Sequence, residues 1–334
     1  MTGSLEKILK TLRENKGNYI SGEELAEQLN ISRIAVWKHV QTLRGEGYRI
    51  ESKPRRGYRL LRSPDLLLPW EIRDGLRATF IGHDIRYFEE VGSTQEVAKR
   101  LANDGAKEGA IVIAERQSNG RGRMGRGWFS PSGGVWLSVI LRPRTNLQAQ
   151  RFTLLAGVAV ARAVNLFYGL EAKIKWPNDI LVNGKKVCGI LAEVSAEMDA
   201  INYLILGIGV NVNVYLTTAD GKLLQTATSI KEVLGRKVSR VGFVQVMLEE
   251  LEQLYRLLSA EGFKPILSEW KKLSGILGAW IRVSFRGEEF EGWARDVDED
   301  GFLIVELDDG SLRRVVAGDV HIVEGASQRV HSRG

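Results

Sequence analysis

Residues 21–44, which read SGEELAEQLNISRIAVWKHVQTLR, restrict the fold of this chain more than any other stretch. Ser21 stands three residues before Glu24, the spacing of a capping box that opens a short helix. After a turn, Ser32 is placed to cap a second helix over Arg33–Arg44. Two short helices joined by a tight turn predict a helix-turn-helix.

The second helix has one apolar face and one polar face. Val36, Val40 and Leu43 recur at i, i+4 and i+7, which predicts a single buried stripe. The opposite face carries cationic, aromatic and amide side chains of the kind that contact DNA in a major groove. The residues that we expect to bind DNA from this element are Ser32, Arg33, Trp37, Lys38 and Gln41.

A hairpin is predicted directly after the two helices. Tyr48–Glu51 and Tyr58–Leu61 have the composition of strands, and Arg55 and Arg56 lie in the connection between them. A basic hairpin tip beside a recognition helix is a wing that can touch backbone phosphate. We therefore expect mostly phosphate contacts from the wing, and base specificity from the start of the second helix.

The excess positive charge of the chain lies entirely in this segment. The whole chain has a formal net charge of +6, and residues 1–62 hold 13 Lys and Arg against 7 Asp and Glu. Positive charge concentrated on one small domain is typical of a nucleic-acid-binding protein. A helix-turn-helix can also dock another protein, and this alternative stays open, but the charge favours DNA.

The bulk composition indicates a soluble protein of more than one domain. The chain has 334 residues, 44% hydrophobic and 26% charged. No uninterrupted apolar run reaches membrane-spanning length, so we expect no membrane association. The single Cys188 excludes an internal disulfide, which favours a cytoplasmic location, and too few Cys and His are present for a standard zinc site.

Residues 118–131, SNGRGRMGRGWFSP, set arginines among glycines. Glycine lets the backbone approach a ligand closely, and the arginine fork suits phosphate or carboxylate. Gly120 to Gly125 formally match a dinucleotide fingerprint, but no helix is expected to follow, and residues 116–170 contain no acidic residue. No Walker lysine follows either. The loop predicts an arginine-built anion site, with an exposed loop touching nucleic acid as the alternative.

Residues 173–194, KIKWPNDILVNGKKVCGILAEV, carry a second polar cluster. Asn183-Gly184 predicts a hairpin turn, after which Lys186 enters an otherwise apolar strand. A lysine that points into a sheet-lined pocket is costly unless it meets an anion. For Lys186 alone a solvent-facing position is the commoner explanation, but its pairing with the arginine loop favours an anion site.

The remaining pattern predicts a multidomain α+β chain. Apolar strands mix with helices in the centre without strict alternation, which favours helices on one side of a sheet. Short alternating strands between Trp280 and Val316 predict a small SH3-like β-barrel. The central strands are predicted over Ile111–Ala114, Val135–Leu141, Ala172–Trp176, Val187–Glu193 and Tyr203–Val210, and the central helices over Ser93–Asn103, Gln148–Phe167 and Val241–Leu258.

The arginine loop, the KWPND segment and GIGVNVN at residues 207–213 occur in the order found in biotin protein ligases. The chain resembles this family over essentially its whole length, and the winged helix is similar to that of the bifunctional members, the biotin operon repressors. The resemblance implies a central domain with a class II aminoacyl-tRNA synthetase-like fold. It implies a winged helix-turn-helix over 1–64, a biotin and ATP domain over 65–274, an SH3-like barrel over 275–326 and a tail over 327–334.

The resemblance implies an enzyme that is also a repressor. The biotin carboxylate attacks the α-phosphate of ATP to give biotinyl-5′-AMP and diphosphate, with Mg²⁺ on the nucleotide. Biotin then passes to a lysine of the biotin carboxyl carrier protein of acetyl-CoA carboxylase. Biotinyl-5′-AMP is also the implied corepressor, which favours a homodimer that binds operator DNA.

The resemblance also implies the site residues. It assigns two roles to Asp179. One is catalytic, as a partner of the acceptor lysine, and the other is metal binding. Gln95 departs from the Asn of some members, and residues 215–226 contain no tryptophan to stack on adenine. The implied residues are, for biotin, Ser93, Thr94, Gln95, Gln117, Arg121, Gly122, Arg123 and Lys186; for the nucleotide, Arg123, Arg126, Trp128, Asn178 and Asn211; and for catalysis, Lys186, Arg121, Arg123 and Asp179.

Two other functions remain open at this point. A lipoate–protein ligase shares the chemistry and a similar catalytic domain, but it does not normally carry a winged helix. A ligand-sensing repressor without ligase activity would have no need of Lys186 and the loop arginines, so their retention argues against it.

Overall fold

The computed structural model describes residues 2–15, 17–143, 148–197, 200–216 and 225–323. The chain divides into two compact units, Met1–Leu66 and Leu67–Gly334. The second unit holds both the central sheet and the C-terminal strands. The predicted tail over 327–334 lies outside the described residues.

The first unit consists of helices and one hairpin. Both predicted helices are confirmed, because the side chains of Ser21 and Ser32 accept hydrogen bonds from the N–H groups of Glu24 (3.0 Å) and Ala35 (3.1 Å). The Glu24 carboxylate accepts a bond from Gln28 rather than completing the capping box. The elements are α1 (Thr2–Glu14), α2 (Gly22–Leu29), α3 (Arg33–Gly45), β1 (Arg49–Lys53) and β2 (Gly57–Arg62).

The predicted buried stripe of α3 is also confirmed. Val36, Val40 and Leu43 are fully buried, and they form the core of the first unit together with apolar residues of α1 such as Ile8 and Leu12. The helix α1 is a third helix, in addition to the two that the sequence predicts for this unit.

A mixed sheet forms the centre of the second unit. Within the described residues it has seven strands in the order β3-β4-β5-β9-β8-β7-β6, parallel only between β3 and β4. The five predicted strands are confirmed, and β3 and β7 are additional. The strands are β3 (Ile85–Val91), β4 (Ile111–Gln117), β5 (Val135–Leu141), β6 (Ala172–Lys175), β7 (Asp179–Val182), β8 (Lys185–Glu197) and β9 (Ala200–Val210).

Helices cover both faces of this sheet, so the prediction that they lie on one side is wrong. Ile111 and Ile113 face the core under α6, whereas Val112 faces α5 on the other side. The middle strands are buried on both faces, and two-sided burial requires cover on each side. The helices are α4 (Pro69–Arg73), α5 (Thr94–Asn103), α6 (Ala149–Tyr168), α7 (Ile230–Leu234), α8 (Val241–Glu261) and α9 (Lys264–Leu273).

The helix α6 lies in the core. It is the one helix among the described residues that is long and apolar enough to cross a membrane, and 67% of its most apolar window is buried inside the protein.

An antiparallel sheet of five strands among the described residues ends the second unit, in the order β13-β12-β11-β10-β14. The short strands predicted between Trp280 and Val316 are confirmed, and β14 is an additional edge strand that pairs with β10. Trp176, next to β6, donates from its indole N–H to the carbonyl of Gly301 at 3.0 Å. The strands are β10 (Trp280–Phe285), β11 (Glu288–Val297), β12 (Leu303–Glu306), β13 (Leu312–Val315) and β14 (Asp319–Ile322).

Candidate functional site

A cavity of about 730 Å³ opens on the face of the sheet that carries α5. Three glycines, Gly189, Gly207 and Gly209, form its floor on β8 and β9. A Cβ atom on Gly209 would stand 2.5 Å from the indole nitrogen of Trp128, and one on Gly207 would stand 2.6 Å from Oε1 of Gln95. Glycine at these positions therefore lets the side chains of Trp128 and Gln95 pack closely over the floor.

One end of the cavity, over β4 and β5, is lined by uncharged polar side chains that bond to one another. Oε1 of Gln117 accepts a hydrogen bond from the Thr94 N–H at 2.8 Å. The hydroxyls of Thr94 and Ser138 lie 2.9 Å apart, and Ser138 donates to Oε1 of Gln95 at 3.0 Å. We call these residues, with Ser93 and Ser130, the neutral end. The predicted residues Thr94, Gln95 and Gln117 are brought together here.

Two buried donors on the cavity wall lack a partner among the described residues. They are the hydroxyl of Ser93, which is 5% exposed, and the indole N–H of Trp128. An unsatisfied buried donor costs roughly 1–3 kcal/mol of stability. A ligand with an acceptor atom would satisfy the hydroxyl of Ser93, whereas the indole nitrogen of Trp128 lies against Gly209.

Two residues of the neutral end, Ser130 and Ser138, are not among the residues that the sequence predicts for the site. Ser138 is fully buried in β5, and Ser130 accepts a hydrogen bond from Nε2 of Gln117 at 2.9 Å. A signal was present for Ser138, since it is the one polar residue of the run VWLSVIL.

The three loop arginines have three different partners. Arg121 donates to Glu96 on α5 at 2.7 Å, and Arg126 forms a two-armed pair with Asp319 of β14. Arg123 donates to Oδ1 of Asn178 at 3.0 Å. All three line the cavity, but the guanidinium of Arg121 is turned to Glu96 and does not join the other cations.

The loop itself is a closed turn. The N–H of Gly122 donates to the carbonyl of Arg126 at 2.8 Å, and that of Trp128 donates to the carbonyl of Gly120 at 2.9 Å. Burial lowers the pKa of the Arg123 guanidinium, and Asp319 and Asp179 oppose that shift. Arg123 is therefore a desolvated cation whose bonded partner is a neutral amide.

The other end of the cavity, over β8, β7 and β6, is charged. Nζ of Lys186 lies 2.6 Å from Oδ1 of Asp179, an ion pair that lacks the alignment of a hydrogen bond. The same ammonium lies 5.0 Å from the centre of the Trp128 ring. We call Lys175, Asp179, Lys186, Arg123 and Arg126 the charged end. Lys175, at the end of β6, was not among the predicted site residues.

A β-bulge explains why Lys186 reaches the cavity. Gly189 faces the cavity, and strict alternation along β8 would turn a residue three positions earlier to the opposite face. The pairing of β7 with β8 shifts register between Ile180 and Leu181, so one extra residue on β8 restores the cavity-facing side for Lys186.

The two predicted asparagines bond mainly to the backbone. Nδ2 of Asn178 donates to the carbonyl of Ile190 at 3.0 Å, and Nδ2 of Asn211 donates to that of Thr228 at 3.1 Å. Asn178 thereby presents its oxygen to Arg123. Asn211 lines the cavity but is 4% exposed.

The predicted DNA-binding residues lie on the surface of the first unit. Trp37 is 53% exposed on α3 beside Arg33 and Lys38, and the hydroxyl of Ser32 is engaged as the helix cap. The amide oxygen of Gln41 can accept from the Trp37 indole at 3.2 Å. Arg55 and Arg56 are exposed at the tip of the hairpin β1–β2, where Arg56 lies 4.6 Å from the ring centre of Tyr19.

The side chain of Arg44 holds helix α3 and the hairpin β1–β2 together. Arg44 donates to the carbonyl of Ile50 from Nε (3.1 Å) and NH2 (2.8 Å), and to the hydroxyl of Ser52 at 3.0 Å. This fixes the wing relative to α3.

Comparison with known proteins agrees with the two-unit organisation. Residues 87–211 match the biotin/lipoate A/B protein ligase family, 4–59 match a helix-turn-helix domain, and 276–323 match the biotin protein ligase C-terminal domain. The bifunctional ligase/repressor BirA of Bacillus subtilis is 41% identical over 325 residues, which cover 96% of this chain and 100% of that protein. The BirA of Escherichia coli is 29% identical over 309 residues, covering 92% and 94%.

A solved structure agrees with the sequence matches. The biotin protein ligase from Aquifex aeolicus in complex with biotin and ATP superposes with a TM-score of 0.64 at 26% identity, over 72% of this chain and 99% of that one. With the full-length match to the Bacillus protein, these findings show that the chain belongs to the biotin/lipoate protein ligase family, among its bifunctional ligase/repressors.

Proposed function

We infer that the protein is an ATP-dependent biotin protein ligase that also represses transcription through its helix-turn-helix unit. The observation that carries this is one cavity with a neutral hydrogen-bonding end and a cationic end. Biotin has an uncharged ureido ring at one end and a carboxylate at the other, so it matches this gradient. The triphosphate of ATP requires the cations.

The neutral end suits the ureido ring. A ureido group offers one acceptor oxygen and two N–H donors. The free hydroxyl of Ser93 and the polar atoms of Thr94 and Gln117 supply both kinds of partner in a buried setting. Gln95 reaches this network through Ser138, so we assign it to orienting the hydroxyls.

The charged end suits the adenylation step. The biotin carboxylate attacks the α-phosphate, and two anions approach each other only where cations offset their repulsion. Arg123 and Lys186 are assigned to the carboxylate and the α-phosphate, with Gly122 providing close backbone approach and Arg126, Asn178 and Asn211 flanking the nucleotide. The assignment of Arg121 to biotin and catalysis, which the family resemblance implies, requires its guanidinium to leave Glu96. The indole of Trp128 lies over Gly189 and Gly209, where adenine can stack on it.

Asp179 fixes Lys186 through their 2.6 Å ion pair. Its further assignments, as the partner of the acceptor lysine and as a metal ligand, are proposals. A loss of transfer to carrier in Asp179→Asn at unchanged adenylation would support the first.

Mg²⁺ fits the residues of the charged end as an ion held mainly by ATP. Among the described residues no group of three or more His, Cys, Asp and Glu side chains could hold a metal. Mg²⁺ keeps few protein ligands when it binds phosphates, and Asp179 would serve as one of them through its second oxygen, Oδ2, since Oδ1 pairs with Lys186. When bound, Mg²⁺ offsets part of the triphosphate charge.

The proposed protein has three folded domains and lies in the cytoplasm. The mixed sheet supports a class II aminoacyl-tRNA synthetase-like fold, and the short antiparallel strands β10–β14 support an SH3-like barrel. The domain bounds are 1–64, 65–274, 275–326 and the tail 327–334. Cytoplasmic location fits the buried free Cys188.

The DNA-binding half of the proposal rests on the first unit. The exposed residues of α3 and the wing would bind operator DNA, and a homodimer loaded with biotinyl-5′-AMP would present two such units to a two-fold site. The acceptor of biotin is proposed to be the biotin carboxyl carrier protein of acetyl-CoA carboxylase.

The experiment that tests the function is ATP–diphosphate exchange with biotin, lipoate or octanoate. We expect exchange with biotin alone, and its loss by roughly 10²–10³-fold in Lys186→Ala, since one donor to a developing anion contributes that much. Lys185→Ala is the matched control, because the neighbouring Lys185 side chain is exposed. Exchange with lipoate would indicate a lipoate–protein ligase, and no exchange would leave a sensing repressor.

A further inference from the structure

We propose that Lys175 binds the diphosphate leaving group of ATP at the far edge of the cavity. The inference rests on the proposed function and adds a residue and a subsite to it. Lys175 is the last residue of β6, is partly buried and lines the cavity.

Both carboxylates of the cavity already pair with other cations, so neither is an ion-pair partner of Lys175. Asp179 is occupied by Lys186 at 2.6 Å, and Asp319 is occupied by Arg126. Among the described residues the ammonium of Lys175 has no hydrogen bond and no ion pair within 4 Å. Together with Arg123, whose bonded partner is the neutral Asn178, it leaves two cations of the charged end without a carboxylate of their own.

A second lysine on the same strand shows that lysines of β6 do not in general lack an ion-pair partner. Lys173 lies two residues earlier, hence on the same face of the sheet, and its ammonium pairs with Glu171 at 2.8 Å. Lys173 does not line the cavity. Burial lowers the pKa of the Lys175 ammonium, and its electrostatic neighbours are Asp179, Lys186 and Asp319. A desolvated cation of this kind is stabilised when an anion enters.

The order of the strands gives the position of Lys175 along the substrates. The neutral end lies over β4 and β5. Lys175 is on β6, which is four strands further along the sheet than β5. At the usual strand spacing this is about 19 Å. Lys186, on β8, lies between them. Biotin at the neutral end therefore directs its carboxylate toward Lys186, and Lys175 is beyond the point where the carboxylate meets ATP.

The chemistry of adenylation needs an anion subsite at that place. A carboxylate oxygen forms a bond to the α-phosphorus while the bond from that phosphorus to the bridging β-oxygen breaks. The electron pair of the broken bond stays on the diphosphate, which leaves in line with the attacking oxygen and on its opposite side. With biotin over β5, the diphosphate leaves toward β7 and β6. A fixed cation there stabilises the charge that the leaving group gains.

The test uses the full-length protein and separates the two half-reactions. In Lys175→Met, the KM for inorganic diphosphate in the pyrophosphorolysis of biotinyl-5′-AMP should rise roughly ten- to a hundredfold, the range expected for one lost charge-assisted contact. The rate of biotin transfer from added biotinyl-5′-AMP to a carrier domain should stay at the wild-type value, because no diphosphate takes part. Lys175→Arg should recover most of the affinity for diphosphate.

Lys173→Met is the matched control, since it removes a lysine from the same strand and face but outside the cavity; its diphosphate KM should equal that of wild type. A wild-type diphosphate KM in Lys175→Met would overturn the inference. Equal losses in pyrophosphorolysis and transfer would also overturn it, because they indicate a general role in the fold of the site. If the wild-type chain shows no exchange with biotin and ATP, the proposed function fails, and the inference fails with it.

Discussion

The two ends of the cavity differ in how many of their polar and charged groups have protein partners before a ligand binds. At the neutral end Thr94 bonds to Gln117 at 2.8 Å and to Ser138 at 2.9 Å, and the hydroxyl of Ser93 has no partner among the described residues. At the charged end the carboxylates are paired, and Arg123 and Lys175 have no carboxylate of their own. The neutral end is thus preorganised for shape, whereas the charged end has a surplus of positive charge that only an anionic ligand offsets.

This difference predicts separable effects. A change at the neutral end removes a partner from a buried network and should act on biotin affinity. A change at the charged end alters the field around the reacting groups and should act on the rate of adenylation.

The largest effect is expected for Arg123→Ala. It removes a partly buried cation together with its bond to Asn178, so the second-order rate constant for adenylation should fall roughly 10²–10³-fold. Single-turnover formation of biotinyl-5′-AMP measures it. In the same loop Arg121 pairs with Glu96 and is 47% exposed, so Arg121→Ala should cost less than about fivefold. Equal losses in the two variants would show instead that Arg121 leaves Glu96 on binding and contacts the reacting groups as Arg123 does.

A middle-sized effect is expected for Ser138→Ala. Oε1 of Gln95 and the hydroxyl of Thr94 would each lose a buried partner, so the Kd for biotin should rise about tenfold. Titration calorimetry measures this, and the KM for ATP should not change. If the KM for ATP rose in proportion, the two ends would not be separable.

The smallest effect is expected for Asp319→Asn. This removes a negative charge beside Arg126, Arg123 and Lys175, so the surplus of positive charge grows and the KM for ATP should fall by less than about fivefold. Added salt should reduce the change, because the Arg126–Asp319 pair is partly exposed. A rise in the KM for ATP would show that Asp319 serves mainly to position Arg126.

Local signals in the sequence predicted much of the fold. The caps at Ser21 and Ser32 and the turn at Asn183-Gly184 each depend on residues within a few positions, and all three are confirmed. The helix α1 has buried apolar residues at helical spacing, so its signal was also present. The four-residue strand β14 reads DVHI and has no such pattern, because it is defined by its pairing with β10.

The site could be predicted where it depended on residue types and not where it depended on the order of strands. The arginine loop and Lys186 have distinctive neighbours in the sequence. Lys175 at a strand end looks like an ordinary exposed lysine until the sheet places β6 at the far edge of the cavity. The second helix layer was missed for the same reason, since two-sided burial of β5 depends on packing between distant segments.

The hydrogen bond between Trp176 and Gly301 joins two segments that match separate families, residues 87–211 and 276–323. Trp176 is fully buried and follows directly on Lys175, and its indole N–H ends on a carbonyl of the C-terminal sheet at 3.0 Å. A chain cut after α9 would expose a large aromatic surface and an unbonded donor at the wall of the cavity. Loss or exchange of the C-terminal sheet would therefore also change the wall of the cavity beside Lys175.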